Sequence, residues 1–101
     1  MSSAANPADL TLERFLPLVM QEFRLHADDV AFEARLVEAR PVGRSMPQRR
    51  QPFSLIFGAA SSPVLPQRIY RVEHAAVGAL DLFLVPVGLG NSGMEYQAVF
   101  N

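Results

Sequence analysis

Apolar residues fall at every second position in most of the longer segments of this chain, and a helical period of 3.6 shows only near residues 12–20. Alternation of this kind puts successive side chains on opposite faces of an extended strand, so the chain has to build sheet. Phe23-Arg24-Leu25-His26 alternates, and Asp28-Asp29 behind it is a turn signal. Ala31 to Ala39 sets Phe32, Ala34 and Leu36 against Glu33 and Arg35, which predicts a hairpin around the two aspartates. Phe53 to Phe57 reads as a buried strand, Gln67 to His74 as the next, and Met94 to Phe100 as the last. Between them, Ala79 to Val87 is the longest apolar run. Leu80, Leu82 and Leu84 lie on one face and Phe83 and Val85 on the other, as in a central strand or one covered by a helix.

Proline and glycine mark where these segments stop. Residues 40–52 hold three Pro and four Arg and read as a long exposed loop, because an interior strand cannot accommodate so many missing N–H donors. Residues 58–66 form a second loop with Pro63 and Pro66, residues 75–78 a tight turn, and residues 88–93 a glycine-rich connection. Near the start, Thr11 is placed to cap a short helix that buries Leu12, Phe15 and Leu16, with Glu13 in its first turn. Pro17 disfavours helical geometry at Leu16 and keeps that helix brief. The fold expected is mainly β: a small antiparallel barrel or strongly curved sheet of about six strands with one short N-terminal helix. Residues 1–10 read as an arm and residues 11–101 as a single β-rich domain.

Half of the 101 residues are apolar, which suffices for a core and rules out the composition of a disordered chain. There is no Cys, so disulfides, thiolate metal sites and thiol nucleophiles are excluded. No signal peptide is visible, and no apolar run approaches the roughly 18 residues a membrane helix needs, so a cytoplasmic protein without a membrane partner is the expectation.

The net charge of −1 offers no bulk attraction to nucleic acid, but its distribution is uneven. Residues 1–38 carry three Arg and seven acids, residues 39–72 six Arg and no acid, and residues 73–101 three acids and no base. Every base is Arg, the residue that pairs bidentately with carboxylate and phosphate. Arg40, Arg44, Arg49 and Arg50 therefore mark a candidate docking loop for an acidic partner or a phosphate. Nucleic acid fits poorly, because there is no Trp, no Lys and no aromatic among these arginines.

Other apparent motifs fail on structural grounds. Gly88-x-Gly90-x-x-Gly93 matches a dinucleotide fingerprint, but that site needs a helix N-terminus after the loop, and Met94 to Phe100 alternates as a strand. Its glycines suit positive φ in a hairpin connection instead. His26, Asp28, Asp29 and His74 lack metal-ligand spacing, and Ser54, Ser61 and Ser62 lack both a nucleophile elbow and a base. No catalytic, cofactor or metal residues are assigned, and an enzyme is not expected.

Several blocks carry a resemblance: Leu10 to Phe15 (L-T-L-E-x-F), Pro52 to Phe57, Leu65 to His74, Leu80 to Gly88, and Met94-Glu-Tyr-Gln-Ala-Val-Phe-Asn101. Together they resemble a family of short bacterial proteins that share a domain of unknown function and often end in M-x-Y-x-A-V-F-N, over roughly residues 10–101. The resemblance implies an occasional association with phage-tail-collar-like proteins and assigns no functional residue.

These observations lead to a non-enzymatic structural, assembly or protein-interaction module that self-associates or joins a larger, phage-tail-like or fibre assembly. Its terminal strand is read as an edge able to pair with another chain, with Asn6, Pro7, Leu10, Tyr96, Val99 and Phe100 as the candidate exchange or edge segments. One alternative is a small-ligand-binding barrel whose mouth is lined by Phe32, Phe57, Tyr70 and Phe83. Another is a phosphate-binding enzyme or regulator using the arginine loop.

Overall fold

The computed structural model describes residues 10–44, 46–47, 49–91 and 93–101. Helix α1 (Leu12–Phe15) runs into a 3-10 turn over Leu16–Leu18. Six strands follow: β1 (Glu22–Ala27), β2 (Val30–Pro41), β3 (Phe53–Ala59), β4 (Arg68–His74), β5 (Gly78–Gly90) and β6 (Gly93–Phe100). All neighbours are antiparallel, in the order β1-β2-β3-β6-β5-β4, and β1 meets β4 to close a barrel. Of the two forms expected, the closed one is realised.

Closure places the inward-facing alternation in one core. Phe23, Leu25, Leu36, Leu55, Phe57, Val72, Leu80 and Leu84 fill the interior with 1% exposure or less. Burying a side chain of this size is worth about 1.5–3 kcal/mol. One end of the barrel is stoppered by three stacked or tilted rings. Phe53 and Phe100 face each other at 4.4 Å, and Phe15 from α1 meets them at 5.8 and 5.7 Å. The opposite end is covered by the β3–β4 loop. Tyr96 Oη accepts the Leu65 N–H at 2.8 Å, and Tyr70 Oη donates to the Pro66 carbonyl at 2.6 Å.

Several boundaries differ from the sequence reading, each for a local reason. Thr11 occupies the N-cap position without a side-chain cap bond; its carbonyl accepts the Arg14 N–H instead. Leu16 keeps helical geometry (φ −54, ψ −44) despite Pro17, because the chain tightens there into a 3-10 turn that takes Pro at its start. β2 continues through Arg40 to Pro41, which sits opposite Phe53 at the strand end where no further ladder N–H is needed. β3 takes in Gly58 and Ala59. The glycine-rich stretch is mostly strand: β5 runs to Gly90 and β6 starts at Gly93. Positive φ at Gly88 (141) and Gly93 (107) meets the expectation for those two glycines.

The uneven charge is largely settled inside the chain. Arg68 reaches Asp28 with both terminal nitrogens, at 3.0 and 3.4 Å, and Arg71 lies opposite Asp81 at 3.7 Å. Arg24–Glu33 and Arg35–Glu22 are likewise directly opposite in the β1–β2 ladder. Arg68 and Arg71 of the basic middle segment thus find their acidic partners in the flanking segments of the same barrel. The hydrogen bond from Arg68, reinforced by its charge, holds the Asp28 carboxyl below its ordinary value.

Two outcomes follow from these contacts. A Cβ at Gly93 would run into the Ala59 carbonyl, whereas at Gly43, also at positive φ, it meets open space. Gly93→Ala is expected to lower unfolding stability by about 2–4 kcal/mol and Gly43→Ala by about 1 kcal/mol in urea titrations, and equal losses would contradict the packing argument. A carboxyl whose folded pKa is depressed stabilises above its unfolded value of 3.8, and that contribution is lost as pH falls through the lower folded value. The stability gap between the wild type and Arg68→Met is therefore expected to be constant above about pH 5 and to close below pH 3.8; a widening gap there would be inconsistent with it.

Candidate docking site at a seam between two strands

β5 is thirteen residues long, against seven in β4 and eight in β6, and it cannot serve one neighbour along its whole length. Its first half, Gly78 to Leu84, pairs with β4. Its second half, Val85 to Gly90, pairs with β6. The change of partner coincides with Pro86, which has no N–H to donate, and with a register shift between Pro86 and Gly88. β6, in turn, pairs with β3 from Met94 to Phe100 but with β5 only from Gly93 to Gln97.

The barrel wall consequently splits beyond the Val85–Gln97 pair. Among the described residues, Asp81–Leu84 and Ala98–Phe100 make no ladder pair with each other. The space between them is a groove of about 300 Å³. Inward-facing Leu82, Ala98 and Phe100 form its floor, and each is buried. Its two rims carry outward-facing Phe83 and Val99, which are 53% and 54% exposed. Ile69, directly opposite Phe83 on β4 and 61% exposed, widens the apolar rim. Large exposed apolar side chains are individually ordinary, but three flanking a gap in a sheet make a surface suited to another chain.

Arg50 sits at the open end of the groove. Its Nε donates to the Asn101 carbonyl at 3.0 Å and its Nη1 to the Leu10 carbonyl at 2.6 Å. Its guanidinium also lies 5.6 and 5.4 Å from the ring centroids of Phe53 and Phe100. One side chain from the arginine-rich loop thereby ties together both ends of the described chain and the aromatic stopper. Arg50, expected as a docking arginine, is thus engaged within the chain while it lines the groove. Arg40 is engaged by Glu38 at 3.5 Å. Arg44 and Arg49 are exposed and, among the described residues, make no side-chain hydrogen bond or ion pair.

The expected edge is corrected as well. β6 lies inside the sheet order, between β3 and β5, and is no free terminal strand. Of the residues proposed for it, Val99 forms the rim and Phe100 the floor of the seam. Tyr96 points inward, 2% exposed, with Phe57 and Pro86 opposite it on either side. Leu10 is buried under the Arg50 clamp, and Asn6 and Pro7 lie outside the described residues. The stretch of β5 that lacks a partner on its β6 side, with Phe83 on it and Ile69 opposite on β4, is not visible in the alternation. Its signal was present in Pro86, a residue that a strand paired on both sides rarely tolerates. Apolar residues on both faces of β5 do not reflect a covering layer, since Phe83, Val87 and Leu89 are exposed.

The residues proposed for a ligand-binding mouth do not share one. Phe57 is wholly inside and Phe83 is outside. Phe32 and Tyr70 do meet, edge to face at 6.0 Å, beside a pocket of only about 130 Å³. Burial pushes the Tyr70 phenol above its ordinary pKa, with lesser contributions from Tyr96 and, in the opposite direction, Arg68. The histidines are separately engaged: His26 with Glu73 at 2.9 Å and His74 with Gln21 at 2.7 Å. Among the described residues, no group of three or more His, Asp or Glu could hold a metal ion, and no helix is long and apolar enough to cross a membrane.

Replacing Arg50 by Met keeps the apolar stem and removes the bonds to Leu10 and Asn101. A loss of about 2 kcal/mol in denaturant unfolding is expected, since charge-assisted bonds to carbonyls contribute about 1.5–3 kcal/mol; unchanged stability would rule out the clamp.

No curated protein and no solved structure matches this chain significantly. One family does match, over residues 10–100, a span that takes in the helix, all six strands and the seam. By that match, the chain belongs to the DUF6916 family, a domain of unknown function.

Proposed function

We propose that this domain is a non-enzymatic protein-interaction module that docks an extended segment of another polypeptide into the β5–β6 seam. The observation that carries this reading is the split wall: two strand edges face a shared groove with an apolar floor and apolar rims. Strand edges offer rows of N–H and C=O groups that recognise any extended backbone, while pockets on alternate sides select its side chains. The groove is bounded by β5 on one side and β6 on the other. A single extended chain suits such a slot. The edge of a second sheet does not, because its own neighbouring strand would meet the opposite wall. A role in a larger fibre or phage-tail-like assembly is the form of this proposal that the resemblance favours, and self-association is the form in which a second copy supplies the segment.

A fluorescent peptide of alternating Val and Thr tests the proposal by anisotropy. Saturable binding is expected. A peptide of the same composition rearranged to a helical period is expected to bind at least about tenfold more weakly, and so is the peptide to Phe83→Glu, a difference of about 1.4 kcal/mol. Phe83 is half exposed, so the variant is expected to keep its fold, which thermal unfolding checks. Equal binding of both peptides, or binding that ignores Phe83→Glu and Val99→Glu alike, would overturn the proposal.

A further inference from the structure

The seam is asymmetric in charge, and this points to the chemistry of the segment it takes. The ladder closes it at Val85–Gln97 and leaves it open toward Asp81 and Asn101. At that open end the register runs Pro41, Phe53, Phe100 across three strands, so the loop of residues 42–52 leaves the barrel there. The Val42 N–H donates to the Pro52 carbonyl at 2.9 Å and closes the base of the loop. From Arg40 to Pro52 the chain carries four arginines and no acid. Two of the four are committed, Arg40 to Glu38 and Arg50 to backbone carbonyls and rings. Asp81, the acid that lines the seam, faces Arg71. Arg44 and Arg49 are exposed, in the same loop that sends Arg50 to the open end.

Resting on the docking proposal above, we infer that the segment taken by the seam carries carboxylates at the end that emerges beside Asn101, where they meet Arg44 and Arg49. The groove itself takes the uncharged, alternating part: small side chains over Leu82, Ala98 and Phe100, and apolar ones between Phe83 and Val99. The open stretch of β5 covers four residues, about 13 Å of extended chain, so the following residues of a docked segment reach the loop. Arginine suits this task because its planar fork pairs with a carboxylate through two bonds at once. The exposed setting makes the contribution salt-dependent.

The test uses labelled peptides about nine residues long, enough to span the open seam at roughly 3.3 Å per residue. All share an alternating Val/Thr centre and differ in a terminal pair of Glu, Gln or Lys, placed at either end. With the full chain in about 0.01 M salt, the Glu peptide in one orientation is expected to bind about fivefold tighter than the Gln peptide, and the Lys peptide more weakly than either. The advantage is expected to vanish in Arg44→Gln/Arg49→Gln, which leaves the Gln peptide unaffected, and in about 1 M salt. Equal affinities for Glu and Lys peptides, with Phe83→Glu still abolishing binding, would overturn this inference and leave the seam standing. Absence of Phe83-dependent binding for every peptide would overturn both. A doubled mass of the unliganded protein in light scattering, returned to one chain by Phe83→Glu, would identify a second copy as the occupant and overturn the acidic-segment assignment.

Discussion

The bend in β5 is the constraint on which the rest of this structure depends. A sheet of six strands closes only if its longest members curve, and here the two longest, β2 and β5, each carry a register shift. In β5 the shift sits beside Pro86 and Gly88, the one lacking an N–H and the other at a φ of 141 that favours glycine. The strand can then leave β4 and join β6 within a single run. The same bend that closes the barrel at one end prevents β5 and β6 from pairing at the other, and the seam is its direct product.

Around that constraint the molecule divides its labour by face. Inward positions are filled by apolar side chains, and the pocket beside Phe32 and Tyr70 measures only about 130 Å³. Outward positions on β1, β2, β4 and β5 include cross-strand ion pairs, individually weak at the surface, that match strand to strand. The seam is where neither rule holds. Its floor belongs to the core, its rims are apolar yet exposed, and its open end is gathered by Arg50.

Much of the fold was legible before any coordinates. The alternation over Phe23–His26, Ala31–Ala39 and Phe53–Phe57 became β1, β2 and β3 within a few residues, and Asp28-Asp29 made the turn expected of them. Boundaries drifted where proline or glycine was given too much weight. Pro41 could end a strand without breaking it, and Gly88 to Gly90 could stay in one, because only some strand positions need an inward-bonding N–H or a Cβ. The candidate site was less legible. The alternation of β6 suggests a free terminal edge at Val99 and Phe100, where the barrel order leaves none, and the aromatic pattern suggests a mouth at Phe83, which lies outside beside Ile69. A residue with apolar neighbours on both faces looks the same in sequence whether its outer face is covered or bare.

By itself the sequence determined the class of structure: periodicity two forces strands, the punctuation sets their number, and the absence of Cys removes disulfide and thiol chemistry. Only the tertiary structure decided which strands are neighbours and where their pairing stops. Strand neighbours are set by closure of the whole sheet, a global condition that no local window of residues contains. The same holds for charge. Arg68 with Asp28, and Arg50 with the carbonyls of Leu10 and Asn101, are separated by forty residues or more along the chain and meet only because the barrel brings them together.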